Sequence, residues 1–167
     1  RSLGYADTLE ERRPWWIQGF AVGDMTVTSE GPVILQPLWE TKCRGTTVVQ
    51  LDHAGGVTWT TWIGSQRRGN IDVHLGGIDV TPDGSLVLVG RTTEFTDREK
   101  WGYEAMAARL SAGGEFLWAK VGSAGVFGTA DYPMYSYCDA VAATEDGGLA
   151  WAVLGAREDP SLFDLAV

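Results

Sequence analysis

The feature that most constrains the fold of this 167-residue chain is a turn sequence that occurs three times. Each copy reads Thr-x-acid-Gly and runs into an apolar stretch. The copies are Thr28-Ser-Glu-Gly31, Thr81-Pro-Asp-Gly84 and Thr144-Glu-Asp-Gly147. An acidic residue followed by Gly predicts a hairpin, because Gly accepts a positive φ where the chain reverses. Three copies indicate an internal repeat.

A second pattern lies between these turns. The segment from Val48 to Trp59 matches the segment from Ala107 to Trp118 at an offset of 59 residues. The positions that coincide are Leu51 and Leu110, Gly55 and Gly114, and Trp59 and Trp118. This is again strand, tight turn, strand, so each repeat of roughly 55–60 residues holds two hairpins, which is the length and strand count of a propeller blade.

The predicted fold is therefore all-β, with β-propeller blades of four antiparallel strands in an incomplete ring of about two and a half blades. No segment keeps a helical apolar spacing over three turns. The segments Val33–Leu35, Leu86–Val89 and Leu149–Leu154 are continuously apolar. Such runs predict that both faces of each sheet are buried against neighbouring sheets. A two-sheet β-sandwich, which would show alternation in most strands, is the alternative fold.

The repeat boundaries divide the chain into four parts. Residues 1–22 are an N-terminal segment or the degenerate end of a preceding blade, with a short helix expected over 8–13. Blade 1 covers residues 23–64, blade 2 covers 65–122, and blade 3, which is truncated, covers 123–167.

Tight turns and long connections alternate along the chain. Since successive connections of an antiparallel meander fall on alternate edges, all long connections are expected on one face of the ring. The predicted long connections are 37–46, 64–77, 91–105, 122–139 and 156–163. Binding residues concentrate on loops that a rigid scaffold holds, so this face is the candidate functional surface.

The long connections contain aromatic and polar residues of the kinds enriched at protein–protein hot spots. The candidates are Trp39, Arg67, Arg68, His74, Phe95, Trp101, Tyr103, Phe127, Tyr132, Tyr135 and Tyr137. An alternative interpretation is that many of them pack beneath the loops. Trp59 and Trp118 recur at one position per repeat, which predicts that they wedge between adjacent blades. Trp151 is predicted to be core.

The pattern Leu51-Asp52-x-x-Gly55-x-x-x-Trp59 resembles the tryptophan-motif propellers, namely the quinoprotein-like and the bacterial seven-bladed propeller repeats. In the second copy Ser111 replaces the Asp. The resemblance covers residues 24–167 and implies a fold more than a function, because such propellers serve as dehydrogenases, assembly factors and adhesion modules. It implies outer strands for the tryptophan hairpin and inner strands for the Thr-x-acid-Gly hairpin. Because propellers close with 4–8 blades, it also implies a longer polypeptide, or copies or a partner that complete the ring.

The sequence contains no catalytic, cofactor-binding or metal-binding constellation that can be defended. His53 and His74 have no second ligand at metal spacing, and the vicinal cysteines of quinoprotein enzymes do not occur. Cys43 and Cys138 are either one disulfide or two buried thiols. A net charge of −9 argues against a nucleic-acid partner, and no apolar stretch is long enough for a membrane span.

These observations predict a non-catalytic module for protein–protein binding or scaffolding. Its partners would be other subunits or the missing blades of the same polypeptide. Two alternatives stay open: a fragment of a propeller enzyme, either quinoprotein dehydrogenase-like or carbohydrate-active, and a glycan-binding module. Related modules favour an extracytoplasmic location. Because the chain opens on Arg1 with no signal-peptide pattern, a mature or truncated product is expected.

Overall fold

The computed structural model describes residues 4–5, 23–39, 44–64, 73–93, 103–121, 135–156 and 163–166. Throughout these stretches the chain forms strands joined by tight turns. The strands are β1 (Gly4–Tyr5), β2 (Asp24–Thr28), β3 (Gly31–Trp39), β4 (Arg44–Leu51), β5 (Val57–Gly64), β6 (Val73–Val80), β7 (Leu86–Thr92), β8 (Glu104–Leu110), β9 (Phe116–Val121), β10 (Tyr135–Ala143), β11 (Leu149–Ala156) and β12 (Phe163–Ala166). Within the same stretches, no helix is long and apolar enough to cross a membrane.

The strands of the described residues form three antiparallel sheets. The first sheet has the order β1-β5-β4-β3-β2, the second β6-β7-β8-β9 and the third β10-β11-β12. Apart from β1, the strands of each sheet pair in the order in which they follow one another in the chain, so each sheet is a meander of hairpins. Gly4 and Tyr5 pair with Gly64 and Ile63 at the far edge of β5. The prediction of an all-β fold of antiparallel sheets is confirmed: β2–β5 and β6–β9 form the predicted four-stranded meanders, and β1 adds to the edge of the first. The helix expected over 8–13 lies outside the described residues.

Four of the five tight turns in the described stretches share one geometry. In each, the first residue donates its N–H to the carbonyl of the fifth, and the fourth donates to the carbonyl of the first. The fourth residue is a glycine with a φ between 81° and 85°, a conformation that Gly adopts without strain. These four glycines are Gly55, Gly84, Gly114 and Gly147.

The turn after Thr28 differs from the two turns that it resembles in sequence. Only Ser29 and Glu30 separate β2 from β3, and Gly31 pairs directly with Thr28. The φ of Gly31 is 134°. A Cβ on Gly31 would lie 2.3 Å from the carbonyl oxygen of Leu51, so close backbone approach requires a glycine there. The turn between β2 and β3 is therefore one residue shorter than the turn between β6 and β7.

The three sheets stack in chain order, and two apolar clusters lie between them. The back of a sheet is the face that packs on the next sheet in chain order, and the front is the face that packs on the preceding sheet. For the first sheet, the front is the face opposite its back, and for the third sheet, the back is the face opposite its front. The first cluster joins the back of the first sheet to the front of the second: Val33, Leu35, Val48, Ile63, Val73, Leu75, Ile78, Leu86, Leu88, Met106, Ala108 and Leu110. The second cluster joins the back of the second sheet to the third: Val89, Ala105, Ala107 and Cys138, with Trp118, Val141, Leu149 and Trp151 packed against them.

The prediction that all three apolar strands bury both faces is correct only for the second sheet. Residues Leu86–Val89 are all buried. In β3, by contrast, Val33 and Leu35 are buried while Ile34 between them is partly exposed, and in β11 Ala150 is exposed. The reason is that the first and third sheets each have only one neighbouring sheet among the described residues.

Buried polar groups fix how the sheets lie on one another. The hydroxyl of Thr46 accepts a hydrogen bond from the backbone N–H of Leu75 at 2.9 Å. The hydroxyl of Thr61 donates to the carbonyl of Gly114 at 2.5 Å. Both bonds cross from the first sheet to the second, and the latter ends on a tight turn. Thr46 and Leu75 both lie in the halves of their strands that are far from the tight turns, so the two sheets carry their tight turns at the same end. Buried polar groups need such partners.

Candidate functional site

The ends of the strands opposite the tight turns form the candidate surface, which we call the connection end. Strands here lead into residues 40–43, 65–72, 94–102, 122–134 and 157–162, which lie outside the described residues. The strands reach farther toward this end than the sequence predicts, so several candidates belong to strands and not to loops. Trp39 ends β3, His74 lies in β6, and Tyr135 and Tyr137 lie in β10.

The predicted site residues differ in how much of each the structure describes. Arg67, Arg68, Phe95, Trp101, Phe127 and Tyr132 lie outside the described residues. For Trp39, Tyr135 and Tyr137 only the backbone position is described. His74 and Tyr103 are the two candidates whose side chains are described, and both lie at the connection end of the second sheet.

His74 and Tyr103 are brought onto one face of the second sheet by Arg91. His74 pairs with Arg91, and Arg91 pairs with Ala105, two residues from Tyr103. Directly opposed residues share a face, and so do residues two apart. The guanidinium carbon of Arg91 lies 4.7 Å from the centroid of the Tyr103 ring, within cation–π range.

Arg91 was missed at the sequence level. It directly follows the apolar run of β7 and Gly90, and a charged residue at the end of a buried strand is the signal that would have found it. A long side chain there can bury its stem along the strand and carry its charge to the rim. The structure thus replaces a predicted loop surface, at this point, by a surface built on strand ends.

The opposite face of the same strand end carries an acid. Glu104 pairs with Thr92, which is fully buried. Oε2 of Glu104 is buried and has no hydrogen-bond partner among the described residues. Desolvation by this burial raises the pKa of the Glu104 carboxyl above its usual value, because the charged form loses hydration. The connection end therefore places a cation toward the third sheet and an acid toward the first.

At the opposite end of the sheets, where the tight turns lie, carboxylates of the turns accept hydrogen bonds from residues of the same turns. Thr81 donates its hydroxyl to Asp83 at 2.5 Å, and the N–H of Ser85 donates to the same oxygen at 3.1 Å. These bonds, with Thr81 the larger cause, hold the pKa of Asp83 far below its usual value. Asp146 shows the same direction, since the Thr144 hydroxyl and the Gly148 N–H donate to it.

Arg109 ties this end of the second sheet to the third. Its Nη2 lies 2.9 Å from Oδ2 of Asp83, and its Nη1 donates to the carbonyl of Gly147 at 3.4 Å. Asp83 is well exposed, so the ion pair is worth little by itself. Polar groups that already serve the turns and the sheet contacts are poorly suited to bind a ligand, which favours the connection end as the functional surface.

The two recurring tryptophans lie on the backs of successive sheets. Trp59 packs against the first apolar cluster, and a Cβ on Gly114 of the next sheet would lie 2.6 Å from its ring. Trp118 packs against the second cluster, where Trp151 also lies. The space around Gly55, the counterpart of Gly114 in the first sheet, is open within 4 Å.

No family model matches this sequence, and no curated protein matches it. The described stretches also contain no group of three His, Cys, Asp or Glu side chains that could hold a metal ion. Cys138 is buried in the second cluster, where its Sγ lies 3.7 Å from the carbonyl oxygen of Ala140. Cys43 lies outside the described residues, so the choice between a disulfide and two thiols stays open.

Proposed function

We propose that this chain is a run of β-propeller blades that serves as a non-catalytic module for protein binding or scaffolding. The observation that carries the proposal is the repeated front-to-back stacking of meander sheets with their tight turns at the same end. In a two-sheet sandwich each sheet has one face toward water, whereas the second sheet is covered on both faces. That arrangement favours sheets set radially around an axis.

The first strands of the sheets support the same arrangement. β6 lies against both β2 and β10, the strands with which the meanders of the neighbouring sheets begin. Carboxylates bridge them: Asp24 accepts from the N–H of Ile78 at 3.1 Å, and Asp79 accepts from the N–H of Ala143 at 2.7 Å. First strands that converge in this way correspond to the inner strands of propeller blades.

The connection end is the surface that we propose for partner binding. It contains the Arg91–Tyr103 pair and is the origin of the connections that contain Arg67, Arg68 and Trp101. Trp, Tyr and Arg are enriched among the residues that dominate binding energy at interfaces. Tyr and Trp bury large areas at a low entropic cost.

The test compares substitutions at the two ends of the sheets. Trp101→Ala, and Arg67→Glu combined with Arg68→Glu, change the connection end, while His53→Ala at an exposed tight turn is the control. Proteins that associate with the wild-type chain are quantified by affinity enrichment, and the strongest is then titrated in purified form. We expect at least about 30-fold weaker binding for the connection-end variants, the size of a hot-spot loss. Equal losses for the control, or no loss for either connection-end variant, would contradict the proposal.

A further inference from the structure

The front of the first sheet carries apolar side chains that no described residue covers. Among the described residues, the large hydrophobic side chains that are exposed are Met25 at 60%, Val27 at 66%, Val57 at 64% and Leu117 at 50%. Met25 and Val27 pair with Ile34 and Pro32, and Val57 pairs with Leu51. All of these residues except Leu117 therefore share one face of one sheet.

The equivalent positions on the second sheet are covered. Pairing places Ile78 where Met25 stands and Val80 where Val27 stands, while the 59-residue offset places Phe116 where Val57 stands. Ile78 is only 5% exposed, and Val80 and Phe116 pack against the first apolar cluster. What covers them is the back of the preceding sheet. The front of the first sheet thus has the apolar pattern of a covered face, but no part of the chain that the structure describes covers it.

The back of the third sheet is the second uncovered face. Ala142 pairs with Ala150, and Ala140 pairs with Ala152, on the side away from the second sheet. Ala140, Ala142 and Ala150 are exposed. On the second sheet, Val87 and Val89 stand at the positions of Ala150 and Ala152. Both valines are buried, and Val89 belongs to the second cluster. Four alanines make this back a smooth apolar surface, which is complementary to the projecting Met25 and Val27.

We propose that the front of the first sheet binds the back of the third sheet of a second copy of this chain. The contact repeats the front-to-back stacking that the chain makes twice within itself. Because front and back are different surfaces, the contact is heterologous. A closed dimer forms only if the back of each copy binds the front of the other. The three described sheets of each of two copies then form one ring of six, within the range of 4–8 blades in closed propellers.

The charge of the chain sets a condition on this pairing. Each copy carries a formal net charge of −9 at pH 7, so two copies repel each other at long range. Salt screens such repulsion, while burial of apolar surface is not screened. The dimer is therefore expected to tighten as ionic strength rises.

The proposal goes beyond the proposed function and uses a different surface, the sheet faces instead of the connection end. Sedimentation velocity of the 167-residue chain over a concentration series is expected to give a species of twice its 18.1 kDa mass. Val27→Glu on the front and Ala150→Glu on the back are each expected to raise the dissociation constant by about 30-fold or more. Leu117→Glu, an exposed apolar residue on the second sheet, is the matched control and should leave the dimer unchanged.

Mixing the two variants tests the head-to-tail geometry. The intact back of the Val27→Glu copy can still take the intact front of the Ala150→Glu copy, so an equal mixture should recover a heterodimer. A front-to-front dimer would instead survive Ala150→Glu and would gain nothing from mixing. That outcome, or a monomer at every soluble concentration in high salt, overturns the proposal. Melting followed by circular dichroism checks that each variant is folded. The Trp101→Ala variant should dimerise normally, and this result would separate the dimer surface from the partner-binding surface.

Discussion

The first and second sheets have nearly the same strand plan but opposite surroundings. Pairing places Ile34 of β3 where Leu88 of β7 stands, at the centre of the front of each sheet. Leu88 is fully buried under the first sheet, whereas Ile34 is partly exposed. An apolar strand therefore allows a sheet to pack against a neighbouring sheet. Whether the side chains of that strand are buried depends on whether such a neighbour is present.

The largest effect that tests this comparison comes from truncating the two central residues. Leu88→Ala is expected to cost about 3 kcal/mol of unfolding free energy, because it leaves a cavity between two sheets. Ile34→Ala should cost about 1 kcal/mol in the monomer, since its face is open and water can take the vacated volume. Urea denaturation of the two variants measures the difference.

Equal costs for the two truncations at low protein concentration would contradict the claim that Leu88 and Ile34 differ in their surroundings. A cost for Ile34→Ala that grows with protein concentration would support it, because the dimer proposed above covers Ile34 and makes the two environments alike.

A second effect compares the turns that carry Gly114 and Gly55. Both glycines have a positive φ, 81° and 85°, so alanine brings a similar backbone strain at each. At Gly114, however, the new Cβ also meets the Trp59 ring, and such overpacking costs typically about 1–3 kcal/mol. Gly114→Ala should therefore destabilise the chain more than Gly55→Ala by this amount.

The excess cost at Gly114 should vanish when Trp59 is absent. In a double-mutant cycle, Gly114→Ala in a Trp59→Ala background is expected to cost no more than Gly55→Ala does. If the excess persisted without the indole, backbone strain and not the contact between sheets would be its origin.

The smallest effect compares the Thr81 turn of the second sheet with the Thr28 turn of the first. Asp83 has a folded-state pKa below its ordinary value of 3.8, so its contribution to stability is present above that pH and is lost as the pH falls further. Glu30 accepts no such bond from Thr28, whose hydroxyl accepts from the Glu30 N–H instead. Thr81→Val should therefore weaken the acid dependence of stability below pH 3.8, while Thr28→Val should not.

Thermal melting at a series of pH values from neutral to strongly acid measures this dependence. Parallel acid profiles for wild type and Thr81→Val would show that the Thr81 hydroxyl does not set the pKa of Asp83. The Thr144→Val variant provides an independent repeat, because the pKa of Asp146 is lowered by the same kind of bond.

The turn positions of the fold were largely predictable, whereas the candidate site was not. Glycine at a positive φ is a local requirement, so the turns at Gly55, Gly84, Gly114 and Gly147 follow from the chain itself. His74 was predicted in a connection and lies in β6, because strand ends are set by pairing with β7 rather than by local sequence. Arg91 joined the site only when that pairing placed it between His74 and Tyr103.

What the sequence alone determined is the set of local elements: the hairpins, their spacing and the apolar faces that they present. These depend on φ, on side-chain size and on a period of two, all of which act within a few residues. Tertiary structure alone decided which faces are covered. Leu88 is buried because the first sheet packs on it, whereas no described sheet packs on Ile34. Tertiary structure also decided that Trp59 packs on Gly114 while the space at Gly55 is open. Contacts between sheets bring together residues far apart in sequence, and no local pattern encodes them.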